Sequence, residues 1–127
     1  MNGPQPIPKH IVIAIHADQI ERFGGMVGVR DEGLLDSALA QPFASFGGQD
    51  LYPSTPEKTA RYGYGVIKNH PFADGNKRTG TALIFAFLRG NGLRFKPRAS
   101  EFYDVIVSVA DGTMDFEGLV AWIEAQL

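Results

Sequence analysis

No cysteine occurs among the 127 residues, which excludes disulfides, a thiol nucleophile and Cys-ligated zinc. Such a chain suits a reducing compartment, and the cytoplasm is the expected location. Long apolar runs are missing too. The stretch Ile11–Ile15 ends at His16 after five residues, whereas a signal peptide needs an apolar core of about 7 to 15 residues and a membrane span about 20. The greasiest segment, Ala82 to Leu88, is also too short to cross a bilayer and belongs in a protein core. Charge of one sign is not in excess. With 12 basic and 14 acidic residues the net charge is -2, which gives no global pull toward nucleic acid and predicts no direct contact with it. No repeat, low-complexity tract or linker interrupts the chain, and 44% hydrophobic residues are enough for one core, so residues 1–127 are expected to form one domain.

What is present is helical spacing. The pattern predicts an all-α protein, a bundle of about six helices around a buried central one. A first helix runs from about Pro8 to Phe23 and stops at Gly24-Gly25. Asp31 can cap a second, which carries Leu34, Leu35, Ala38 and Leu39 and ends at Pro42. The loop from Phe43 to Pro53, with exposed-looking Phe46 and Tyr52, reads as a flap beside a site. Ser54-Thr55-Pro56-Glu57 starts a third helix, with a capping hydroxyl, an early proline and a nearby glutamate, and that helix should reach Asn69. Gly63 and Gly65 weaken it by about 1 kcal/mol each relative to alanine, which points to close packing against a neighbouring helix. A fourth helix, Asn76 to Arg89, is apolar almost all round and is expected at the centre; Gly90-Asn91-Gly92 ends it. Ser100 precedes a fifth helix that ends near Gly112, and Asp115 caps the last. Leu93 to Lys96 could be extended but has no evident strand partner.

The chemistry concentrates between the third and fourth helices, in His70-Pro71-Phe72-Ala73-Asp74-Gly75-Asn76-Lys77-Arg78. Pro71 disfavours the α region for His70, so the incoming helix should stop there and leave the imidazole at a bend. The helix that restarts near Asn76 has unpaired N–H groups at its positive end, where an anion can bind. His70 can be a core histidine or a general base, Asp74 an N-cap or a Mg2+ ligand, and Lys77 and Arg78 solvated charges or partners of an anion, while Gly75 and Asn76 by themselves read as a turn. Phe72 is an apolar anchor for the loop under every one of these assignments. His16, with Asp18 nearby, reads as structural, and His10 carries little information. The order Gly75-Asn76-Lys77-Arg78-Thr79 is not a Walker loop.

This spelling resembles the Fic/Doc family motif H-x-F-x-[D/E]-G-N-[G/K]-R at every defining position. Phe23-Gly24-Gly25, Val29 to Leu35, Ser37 to Ala40 and Phe87 to Gly92 resemble Doc-type sequences as well, so the likeness covers essentially the whole chain. Lys77 stands where the adenylyl-transferring Fic members carry glycine, and Thr81 where many of them carry a second arginine; both features look like the Doc toxin branch of Phd/Doc-type toxin-antitoxin pairs. The resemblance implies a single Fic/Doc domain that binds ATP and Mg2+. It makes His70 the base and Asp74 the Mg2+ ligand, has Gly75 and Asn76 donate backbone N–H groups to phosphate, and has Lys77 and Arg78 neutralise phosphate charge during transfer. It further implies transfer of the γ-phosphate to a Ser or Thr hydroxyl of elongation factor Tu, a halt in translation, and a Phd-like antitoxin through which alone DNA would be met. Adenylyl transfer and an inactive antitoxin-binding module are the alternatives. Metal-dependent hydrolysis with His70 and Asp74 as ligands is weaker, because two ligands are too few for a closed zinc site and thin for a catalytic one.

Overall fold

Glycine sets the closest helix contact in this protein. The computed structural model describes residues 3–127, and among them six helices occur: α1 Lys9–Phe23, α2 Glu32–Ala40, α3 Thr55–Asn69, α4 Asn76–Gly90, α5 Ala99–Asp111 and α6 Phe116–Ala125. A Cβ on Gly63 of α3 would meet Ile84 Cδ1 at 2.6 Å, and one on Gly80 of α4 would meet Ile67 Cγ1 at 2.7 Å. Later residues of α3 therefore lie against earlier residues of α4, and the two helices run antiparallel in close contact. Gly65 plays the same part toward α2, with Ala38 Cβ 3.3 Å from where its own Cβ would be. The close packing expected of Gly63 and Gly65 is what is found.

The pair α3/α4 is shared by two apolar clusters. On one side Val12 of α1 and Leu35 and Ala38 of α2 join Tyr62, Val66, Phe72, Leu83 and Phe87. On the other, Phe102, Val105, Ile106 and Val109 of α5 and Leu119 and Ile123 of α6 pack with Ala60, Ile67, Ile84, Leu88 and Phe95. The central position expected of α4 is thus held jointly. α3 buries at least as much as α4 and touches α2, α4, α5 and α6.

Most boundaries follow local chemistry. Asp31 accepts from Leu34 N, Asp115 accepts from Gly118 N, and Ser54 and Glu57 form a reciprocal capping box. Ser100 does not cap α5, which starts one residue earlier, with Arg98 at the cap position and no side-chain cap bond. Pro42 sits within a 3-10 turn, Gln41–Phe43, that follows α2.

The loop after that turn holds a two-residue hairpin, β1 Ser45–Phe46 with β2 Gln49–Asp50, antiparallel, where the sequence suggested no strand pairing. Leu93 to Lys96 has no ladder partner; Phe95 is buried and its carbonyl is held by Arg89 Nη2 at 3.0 Å. The flap expected beside the site is not there. Lys58, buried near the start of α3, ties the hairpin loop down through Asp50 Oδ2 at 3.1 Å and Tyr52 O at 2.6 Å. His70 lies twelve residues further along α3, about 18 Å away on the helix axis. Phe46 is 82% exposed, whereas Tyr52 packs edge-on against Phe116. No described helix is long and apolar enough to cross a membrane.

Gly80→Val should lower stability by about 1 to 3 kcal/mol through overpacking against Ile67. Gly90→Ala, where a Cβ meets nothing within 4 Å, should leave it within about 0.5 kcal/mol. Urea unfolding of the two variants measures both.

Candidate active site

The antiparallel α3/α4 pair brings the carbonyl end of one helix and the N–H end of the other to a single loop, residues 70–75. His70 is the C-cap of α3 and lies in the left-handed region at φ 50°, ψ 56°, the one non-glycine residue with positive φ among the described residues. Pro71 removes the right-handed helical option as expected, but the residue turns left-handed instead of extended. His70 is exposed, while Pro71 and Phe72 are buried beneath it. Burial of the Phe72 ring, 1% exposed, contributes about 1.5 to 3 kcal/mol toward holding the loop on the core.

Asn76 closes the loop. Its side chain accepts from Phe72 N at 3.0 Å and donates to Phe72 O at 3.1 Å, as a neighbouring strand would, and Asn76 is 7% exposed. The Asn76 side chain is therefore spent on the loop, and of the two backbone N–H groups expected to meet phosphate, that of Gly75 is taken by Asp74 Oδ1 at 2.8 Å. Gly75 caps α4 at φ 72°, and its carbonyl accepts the first helical bond, from Thr79 N at 2.9 Å. The N–H groups of Asn76, Lys77 and Arg78 consequently have no partner within the helix. A Cβ at Gly75 would lie 2.9 Å from Ile20 Cδ1 and 3.2 Å from Arg78 Nη2, so only glycine fits there without displacement.

Asp74 is not an ordinary N-cap. Its Oδ1 accepts from Gly75 N at 2.8 Å and its Oδ2 from Met26 N at 3.3 Å. These two N–H groups, Gly75 first, hold its carboxyl below the usual carboxylate range against desolvation, with smaller help from the Arg78 cation and from His16. Each oxygen keeps a lone pair, and the group is exposed. Arg78 donates from Nη2 to Gly24 O at 2.9 Å and lies 5.6 Å from the Phe23 ring centre. Lys77 is exposed and has no ion pair among the described residues, and Thr81 donates to Lys77 O. His70 and the residues Ala73 to Arg78 line one open cleft of about 370 Å³.

Two supports, Gly25 and Arg30, were not read from sequence as such, and a third, His16, was read only as structural. Gly25, at φ 116°, leaves room for Asp74, because a Cβ there would lie 2.6 Å from Asp74 Oδ2. Sequence identified Gly24-Gly25 as a helix stop, which holds, since Gly24 N donates to Ile20 O at 2.7 Å. The pair also supports Asp74 and Arg78. Arg30 donates to the carbonyls of His70 and Asn69, a contact across forty residues with no sequence signal. His16, read as structural, stacks on Phe72 with ring centres 3.9 Å apart and shares a hydrogen bond with Thr79 Oγ1 at 3.0 Å. Asp18, nearby in sequence, pairs with Arg22 instead. His10 is exposed.

The Nε2 of His16 is buried without a partner, a cost of about 1 to 3 kcal/mol. Desolvation first and the Arg78 cation second push its pKa below the usual 6.5, against the pull of Asp74. The unfolded chain therefore takes up a proton before the folded one does. Stability should be full above about pH 6.5 and fall as pH drops from there toward the lower folded value. His16→Gln should flatten the melting temperature across that window, while leaving the acid loss below about pH 4, to which Asp74 contributes, in place.

Two curated relatives align with this chain. "Toxin Doc" of Mycolicibacterium smegmatis is 38% identical over 104 residues, covering 78% of this chain and 78% of that protein. "Protein kinase doc" of Escherichia phage P1 is 31% identical over 101 residues, covering 80% of this chain and 79% of that protein. The family model described as Fic/DOC family matches residues 6–88, a span that runs from the start of α1 through the loop and nearly to the end of α4. Helix pair, loop and matched segment coincide, and the chain belongs to the Fic/DOC family, on its Doc toxin branch.

Proposed function

We propose that this protein is a toxin kinase that moves the γ-phosphoryl group of ATP to a Ser or Thr hydroxyl of a protein, elongation factor Tu by family resemblance, and so stops translation in the cytoplasm. The supporting observation is the convergence on one cleft of His70, Asp74, Lys77, Arg78 and the unpaired N–H groups of residues 76–78. The name of the phage P1 relative, a protein kinase, points the same way.

The residues fit the nucleotide and its ion. Asp74 keeps free lone pairs on both oxygens and would hold Mg2+, an ion that takes one or two carboxylates and otherwise binds phosphate oxygens and water. No group of three or more potential metal ligands occurs among the described residues, which disfavours a zinc-type site. When bound, Mg-ATP supplies the transferable phosphoryl group. His70 accepts the proton of the acceptor hydroxyl as its oxygen bonds to the γ-phosphorus, the bond from that phosphorus to the β-bridging oxygen breaks, and ADP leaves. The N–H groups of Asn76, Lys77 and Arg78, with the two cationic side chains, stabilise charge on the phosphate oxygens. Phe72, Gly75 and the Asn76 side chain hold the loop so that these donors converge.

Labelled ATP separates the alternatives. Label from the γ-position, and none from the α-position, should appear on the acceptor; the reverse result assigns adenylyl transfer. His70→Ala should lower transfer about 10²- to 10⁴-fold, and an unchanged rate removes His70 from the chemistry.

A Phd-like antitoxin would find a matching surface on this chain. An apolar groove of about 370 Å³, lined by Phe23, Phe85, Pro97, Phe102 and Tyr103, ends at Lys77 and Arg78. An amphipathic helix bearing an acidic residue would fill it and reach the two cations of the cleft. Tyr103, 68% exposed, does not line the cleft that holds His70 and Asp74. Tyr103→Glu should leave transfer unchanged and weaken neutralisation by a co-expressed antitoxin at least about tenfold, read as growth.

A further inference from the structure

The left-handed backbone of His70 needs a cause. A residue with a Cβ persists in that region only where its surroundings over-determine it. Pro71 excludes one alternative but does not select the conformation adopted. Besides the helical bond from His70 N to Val66 O at 3.2 Å, the contacts that flank His70 centre on one residue of the α1–α2 connection. Arg30 donates from Nε to His70 O at 2.8 Å, from Nη2 to Asn69 O at 3.1 Å, and from its backbone N to Pro71 O at 2.8 Å. Three consecutive carbonyls are gripped at once. Asp31 N also donates to Pro71 O, Ala73 N donates to Gly28 O, and Val29 forms a bridge with Phe72, so the connection is registered against the loop over its whole length.

The geometry has a specific effect. The Asn69 carbonyl belongs to the peptide plane before His70 Cα, and the His70 carbonyl to the plane after it. Fixing both planes fixes φ and ψ of His70, and with them the direction in which Cβ leaves the chain and the rotamers open to the imidazole. A guanidinium can do this because its donors are set in a rigid fork, whereas an ammonium would be a single point charge. As a cation at the carbonyl end of α3, Arg30 also offsets the negative end of that helix. Its side chain does not line the cleft.

We propose that Arg30 is the positioning residue of the active site, holding His70 in the left-handed conformation from which the imidazole faces the cleft. Its catalytic part rests on the reading of His70 as the base, and two independent readouts keep the two ideas apart.

The full chain should be compared with Arg30→Met, Arg30→Lys and His70→Ala, using γ-labelled ATP and elongation factor Tu, together with NMR of the His70 backbone and ring. In Arg30→Met, kcat should fall about 10²-fold with KM for ATP within about twofold, since a displacement near 1 Å costs that much while the phosphate donors stay in place. Arg30→Lys should remain low, added methylguanidinium should restore part of the rate of an Arg30→Ala variant, and the His70 signals should move in Arg30→Met and Arg30→Lys. A full rate in Arg30→Met beside a dead His70→Ala overturns the inference and leaves His70 as the base. Full rates in both remove His70 from the reaction and the catalytic part of the inference with it. Unmoved His70 signals in Arg30→Met overturn the inference whatever the rates and whatever the acceptor. A Lys variant as active as the parent shows that charge alone suffices and overturns the fork.

Discussion

The close approach of α3 and α4 is the constraint on which the rest depends. With Gly63 and Gly80 at the contact, the helices come near enough for Ile84 and Ile67 to pack over the opposing backbone. Larger side chains at either position would push the pair apart and widen the turn that joins it. That turn is the His70–Gly75 loop, so helix spacing and site geometry are a single quantity. Antiparallel packing also places the negative end of one helix dipole beside the positive end of the next. The cleft inherits an imidazole at the first and unpaired backbone N–H groups at the second.

A second layer supports the loop from below and from the side. Phe72 plugs it into the core, His16 stacks on Phe72 and reaches Thr79, and the Asn76 amide pairs with the Phe72 backbone in the manner of a strand. The Gly24–Met26 turn supplies the carbonyl that orients Arg78 and an N–H that orients Asp74. The orphaned Nε2 of His16 is a cost the protein carries at this position, consistent with strain concentrating where function is placed.

How much of this was legible follows from the range of the interactions. Caps such as Asp31, Asp115 and Ser54 with Glu57 act within four residues, and the sequence identifies them directly. Gly63 and Gly65 announce a close helix contact because nothing local rewards glycine there, although sequence cannot name Ile84 or Ala38 as the partners. The loop is legible as a motif. The supports of that loop are not, because Arg30, Gly25 and His16 act across forty to sixty-three residues and have ordinary local readings. The flap failed for a related reason. Exposed aromatics mark a surface loop, but only the Lys58 contacts to Asp50 and Tyr52 show that the loop sits at the wrong end of α3.

The order in which these parts assemble follows from chain connectivity. α3, the loop and α4 are contiguous from Thr55 to Gly90, so their mutual contacts close short chain segments at small entropic cost and belong to the fast class of folding events. The contacts of Arg30 and Met26 close loops of about forty residues or more, at a somewhat larger entropic cost. The α3/α4 pair with its unpaired N–H groups is thus local to residues 55–90, whereas the His70 carbonyl meets its Arg30 partner only when the Gly24 to Asp31 connection docks on the loop.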